Sequence, residues 1–205
     1  MIFPRLPDHQ RGYAVVERDD GVVYRLYGSH MTGTRLPHDI RHLIVERELG
    51  ITDGIFGAIA AGVVFTSMRH VGGRRPPHAA DRSEALLRGW RDQGLRAEGI
   101  ANFVESVAAL DDPSPDQIRR LARTKLSVLP DPDSDVNAEA VAAAARAMQV
   151  EAARWARLRV GDELSYDWPR DPDAGRTFGV DAPRIVRSKS PYKRQKWRWT
   201  RARTT

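Results

Sequence analysis

The stretch YAVVERDDGVVYRLY, residues 13–27, decides the fold class. Tyr13-Ala14-Val15-Val16-Glu17-Arg18 and Val22-Val23-Tyr24-Arg25-Leu26-Tyr27 are rich in β-branched and aromatic residues, the types that fit a pleated surface. Asp19-Asp20-Gly21 lies between them, and Asp-Gly favours a tight hairpin turn. The pattern predicts an antiparallel hairpin. Residues 28–35 read as a loop. Beyond it, Leu36-Pro37-His38-Asp39-Ile40-Arg41-His42-Leu43-Ile44-Val45-Glu46 changes period. Pro37 suits a helix start, where its missing N–H costs nothing. Leu49 ends the pattern and Gly50 stops it. A hairpin followed by a helix, not by further alternating strands, predicts an α+β fold.

The rest of the chain extends that prediction. Gly54 to Met68 reads as a helix capped by Thr52 or Asp53, rich in small residues that permit close packing. Ser83 to Arg91 and Arg96 to Leu110 read as two helices, with Ser83 as a cap. Ser114-Pro115-Asp116-Gln117 has the spacing of a capping box and opens a helix to Ser127. Asn137 to Leu158 is a long alanine-rich helix. Asp162 to Trp168 alternates weakly and is a candidate third strand, since an isolated hairpin is barely stable. The expected organisation is a single α+β domain over residues 1–170, the hairpin packed on a mainly helical body. Residues 171–205 form a basic, Trp-containing tail expected to be extended or disordered.

Composition narrows the chemistry. The 205 residues contain no cysteine, so disulfides, thiolate metal sites and cysteine nucleophiles are excluded and any metal must use His, Asp or Glu. The N-terminus lacks the apolar core of a signal peptide, and the longest apolar run, residues 54–65, is too short to span a bilayer. A cytoplasmic protein without a transmembrane segment is expected. The net charge of +6 is unevenly spread: nine of the 33 Lys and Arg lie in residues 184–205, which carry no acid. Residues 1–183 are therefore mildly acidic, with 27 acids against 24 bases.

The helix from Pro37 carries the densest group of metal-type residues. At 3.6 residues per turn His38, His42 and Glu46 fall within about 80° of one another, and Asp39 lies about 20° beyond Glu46. Two imidazoles with a carboxylate are a common set for a divalent transition metal such as Zn, Mn or Fe. The expectation is that His38, His42 and Glu46 bind metal, with Asp39 orienting a ligand or serving as general base toward a small-molecule substrate. The second position is Asp39 rather than the Glu of HExxH metallohydrolases, and the shorter side chain argues against a peptidase. The other reading is structural: Asp39 stabilises the helix N-terminus, and His42 pairs with Glu46 at i,i+4 in a buried polar cluster. Glu98, Asn102 and Glu105 share one face of a later helix and could oppose the histidines, but a solvated face is the favoured reading of them. His70 and His78 flank a Gly- and Pro-rich loop and read as surface residues.

These residues also carry two resemblances. The stretch LPHDIRHLIVERELGITDGIFGAIAAG is similar to a motif of uncharacterised actinobacterial proteins, with Pro37-His38-Asp39, His42, Glu46, Leu49-Gly50, Gly54 and Gly57 as matching positions. That resemblance implies no activity. His38-Asp39-Ile40-Arg41-His42 resembles the HDxxH of ubiquinone-biosynthesis proteins of the Coq4 type, which implies a divalent metal on a helical scaffold. That family has a glutamate further along, where this chain has Gly54.

The tail interleaves cations with aromatics. Lys193, Arg194, Lys196, Trp197, Arg198, Trp199 and Arg201 suit nucleic acid, the cations meeting phosphates and the indoles stacking on bases. The same residues suit an anionic membrane surface, or docking of the tail on the acidic body. A non-enzymatic nucleic-acid-binding or protein-interaction module is thus the alternative to the metal reading.

Overall fold

The computed structural model describes residues 1–8, 10–28, 35–127, 129 and 136–168. The expected tail, and with it Lys193, Arg194, Lys196, Trp197, Arg198, Trp199 and Arg201, lies outside the described residues.

The hairpin forms from β2 (Tyr13–Glu17) and β3 (Val23–Tyr27), in register from Tyr13 opposite Tyr27 to Glu17 opposite Val23. Its turn needs the left-handed backbone at Gly21, φ +74°, and Asp20 Oδ1 accepts from the Val22 N–H at 3.1 Å. Alternation along β2 buries Ala14 and Val16, which face the core. Three more strands complete an antiparallel sheet: β1 (Ile2–Pro4), β4 (Met68–Gly72) and β5 (Glu163–Ser165), in the order β4-β3-β2-β1-β5. The sequence anticipated the hairpin and β5. It did not anticipate β1, which is three residues long, or β4, which falls where helix and loop were expected. β5 pairs with β1, Phe3 opposite Leu164, and so joins the sheet without touching the hairpin.

Five helices form the body: α1 (His38–Leu49), α2 (Ile55–Ala61), α3 (Ala79–Ala108), α4 (Pro115–Lys125) and α5 (Ala138–Arg157). The fold is α+β, as the sequence indicates. α1 begins after Pro37 and ends at Gly50, whose φ of +66° lets its N–H turn back to the Arg47 and Glu46 carbonyls. Ile40, Leu43, Ile44 and Val45 are buried almost all round this helix, which lies against α2, α3 and α5. Each such aliphatic side chain contributes about 1.5–3 kcal/mol by leaving water. They belong to one apolar cluster with Phe3, Ala14, Val16, Tyr24 and Leu26 of the sheet, Phe103 and Val104 of α3, and Ala144 and Met148 of α5.

Two helix boundaries depart from expectation. α2 stops after Ala61, where Gly62 takes φ +119°, so the chain leaves the helix early and reaches the sheet edge as β4. α3 is one helix of 30 residues and not two. Gly94 sits inside it at a propensity cost of about 1 kcal/mol, but the Trp90 ring covers it and buried Ala97, Ala101, Phe103, Val104 and Val107 tie the second half to the core. Ser83, the expected cap, lies within that helix, where its Oγ accepts the Val64 N–H at 2.8 Å.

Candidate metal centre

The first turns of α1 put His38 and His42 one above the other, ring centroids 4.5 Å apart. α3 crosses beside them and brings Glu98 into the space between. His42 Nε2 lies 2.9 Å from Glu98 Oε2, and His38 Nε2 lies 3.3 Å from Glu98 Oε1. One ligand atom from each of His38, His42 and Glu98 falls within 4.8 Å of the others, and among the described residues this is the His and carboxylate group that could hold a metal ion. The His42 side chain is fully buried, while the Glu98 side chain keeps 42% of its exposure. The group therefore has a sealed side and a side open to solvent. Asn102 donates to Glu98 Oε1 at 3.0 Å, and Glu105, one turn further on, pairs with Arg41.

Glu46 is not part of this group, contrary to the ligand set expected from the sequence. It lies one turn deeper along α1, fully buried, and its carboxylate faces the start of α2. Oε1 accepts the Ile55 N–H at 2.8 Å; Oε2 accepts the Phe56 N–H at 2.8 Å and the Gly57 N–H at 3.3 Å. Three orphan donors of a helix start are thereby satisfied by a carboxylate from another helix. Gly54 makes room for it, since a Cβ there would stand 2.7 Å from both carboxylate oxygens. The approach of Glu46 to His42 is 3.8 Å, Oε1 to Nδ1, which is too long for a hydrogen bond.

Surroundings set the charges. Asp39 beside its Nδ1 raises the His38 pKa above the usual histidine value, aided by Glu98 and opposed by burial. Burial lowers the His42 pKa, with the neighbouring His38 acting in the same sense, so His42 is held neutral. Burial alone would raise Glu98, but His42 and His38 outweigh it and the net shift is downward. Burial pushes Glu46 up to about 7 against the pull of its three N–H donors. His42 and Glu98 are thus biased toward the neutral imidazole and ionised carboxylate that metal ligation needs, whereas His38 is biased toward its protonated form, which a metal must displace.

Asp39 lies at the rim of the group, its Oδ1 3.8 Å from His38 Nδ1. Asp39 and His38 also line a cavity of about 500 Å³. Phe3, Leu36, Met148 and Trp155 form apolar wall, and Arg41 and Glu105 stand at its polar side. His70 and His78 lie apart from the centre: His70 contacts the Gly73 carbonyl at 3.0 Å and Tyr24 edge-on, and His78 pairs with Asp81 on the surface. Glu98 is the ligand candidate that sequence reasoning left outside the expected set, reading it as part of a solvated face. Its only local signal was the shared face with Asn102 and Glu105, and that face does meet α1. Comparison with protein-family models, with curated proteins and with solved structures gives no match for this chain. No helix among the described residues is long and apolar enough to cross a membrane.

Proposed function

We propose that this chain is a metal-binding protein in which His38 Nε2, His42 Nε2 and a Glu98 carboxylate oxygen hold a divalent transition metal, Zn, Mn or Fe, and that it acts as an enzyme on a small molecule. The observation that carries the reading is the convergence of those three groups within 4.8 Å between α1 and α3. Imidazole and carboxylate donors suit these metals. Three protein ligands leave a coordination position for water or substrate, the pattern of catalytic rather than structural zinc. A metal there would polarise a substrate oxygen or acidify a bound water. Asp39 would orient His38 through Nδ1, or take a proton from a substrate group in the adjoining cavity. The cavity size falls within the range usual for small ligands, and its mixed walls suit a substrate with an apolar body and a polar group aimed at His38. The HDxxH resemblance points to the same metal chemistry.

The test is metal analysis of the purified protein with add-back of Zn, Mn and Fe. Stoichiometric metal in the wild type, lost in His42→Ala and in Glu98→Ala, is expected. A wild type that holds no metal and gains no thermal stability from any of the three would overturn the proposal.

A further inference from the structure

Both histidines of α1 are arranged in the same sense. Each turns Nε2 toward Glu98, and each has a carboxylate of its own helix 3.8 Å behind Nδ1: Asp39 for His38, Glu46 for His42. For His42 this sets up a conflict over one proton. A neutral imidazole has a single N–H. If Nε2 carries it, donating to Glu98, then Nδ1 turns a lone pair toward Glu46. If Nδ1 carries it, the Nε2 lone pair faces Glu98. The ring is sealed from water, and Nδ1 has no hydrogen-bond partner. An unpaired buried polar atom of this kind is destabilising. A cation beside Nε2 removes the conflict, because the lone pair then meets positive charge and the proton belongs on Nδ1.

We infer that Glu46 is the positioning residue of this centre: in the metal-bound protein it accepts the Nδ1–H of His42 and so fixes His42 as an Nε2 ligand. The inference rests on the proposed metal site. Glu46 is built for that task. Its Oε2 takes two backbone N–H groups and its Oε1 takes one, so the oxygen nearer His42 retains a free lone pair. The three bonds hold the carboxylate plane and prevent it from swinging away. Gly54 is the absence of side chain that lets it stand there. From 3.8 Å, closure of less than about 1 Å makes an ordinary N–H···O bond. A hydrogen-bonded partner on the far nitrogen is how metal-bound histidines are commonly held, and loss of such a partner typically weakens metal binding about 10–100-fold.

Glu46→Gln separates this role from a purely structural one. An amide has one oxygen, which belongs at the Oε2 position with its two donors. The NH2 group then faces His42 and donates to Nδ1, which favours the proton on Nε2 and competes with ligation. The experiment is long-range ¹H–¹⁵N correlation of histidine-labelled protein with and without Zn(II), with calorimetric titration of the same samples. For the zinc-bound wild type, a protonated His42 Nδ1 and a metal-bound Nε2 are expected. For Glu46→Gln, a protonated Nε2 and zinc binding weakened about 10–100-fold are expected. Zinc bound through Nδ1 in the wild type, or a Glu46→Gln protein with wild-type tautomer and affinity, would overturn the inference while leaving the metal site standing. Failure of the wild type to bind zinc would remove both. If Glu46→Gln does not fold, the wild-type zinc spectrum decides alone: an Nδ1–H proton resonance shifted downfield by a carboxylate hydrogen bond upholds the role of Glu46, and an unshifted one ends it.

Discussion

His38 and His42 are one helical turn apart, yet their protonation shifts in opposite directions, upward through Asp39 for His38 and downward through burial for His42. His38 is raised by Asp39 and Glu98, so in metal-free protein it contributes stability that is full below its unfolded value of 6.5 and is lost as pH rises through the higher folded value. His42 is held neutral, so its contribution falls as pH drops below 6.5. Urea unfolding in chelator should therefore show the largest gap between wild type and His38→Ala below pH 6.5, shrinking at alkaline pH; a gap that grows with pH would contradict the assignment. The glycines beside Glu46 give a second residue-scale prediction. A Cβ at Gly54 presses on the Glu46 carboxylate, a side-chain group that must give against its three hydrogen bonds, whereas a Cβ at Gly57 runs into the backbone carbonyl of Thr52, which gives less. Gly54→Ala should cost about 1–3 kcal/mol as overpacking does, and Gly57→Ala should cost more, read from denaturation midpoints. The helical spacing of His38 and His42 was legible because it is local. The exchange of Glu46 for Glu98 was not, because helical period gives a residue's face and says nothing about how deep that part of the face is buried.

At the scale of elements, the ends of α1 and α4 were written in the chain. Pro37 and Gly50 bound α1, and Ser114 with Gln117 forms the reciprocal capping box of α4, the Gln117 N–H reaching Ser114 Oγ at 3.3 Å and the Ser114 N–H reaching Gln117 Oε1 at 2.8 Å. α2 and α3 were misjudged for a shared reason. Propensity treats Gly62 and Gly94 alike as weak points, but the first lies at positive φ and ends a helix, while the second is carried through by Trp90 and the packed second half of α3. Ser83 shows the consequence. It read as a cap; in the fold it is buried inside α3 and binds the backbone of the segment leading into β4. Ser83→Ala should leave the Val64 N–H unsatisfied and destabilise the protein by about 1–3 kcal/mol, with faster amide exchange at Val64. An unchanged midpoint would show that water takes over the bond.

Across the whole molecule, β1 and β5 pair although they stand at opposite ends of the described chain, and Tyr166 just beyond β5 donates to the buried Glu151 of α5 at 2.7 Å. The proposed ligands and the apolar cluster all lie within residues 1–168. A chain ending at residue 183 should therefore fold and bind metal like the full chain, checked by metal content and thermal melting. If the basic segment binds nucleic acid, the full chain alone should shift an oligonucleotide in a gel at low salt, and equal shifts by both forms would exclude that role. The sequence by itself determined the hairpin, the α1 helix with its two histidines, the capping box and the absence of thiolate chemistry, because each depends on spacing or composition within a few residues. Only the tertiary structure decided that Glu98 faces His42 and His38 across 56 and 60 residues, that Glu46 serves the start of α2, and that short β1 and β4 enter the sheet. Those outcomes depend on which faces meet when the apolar surfaces pack, and local periodicity does not specify the partner.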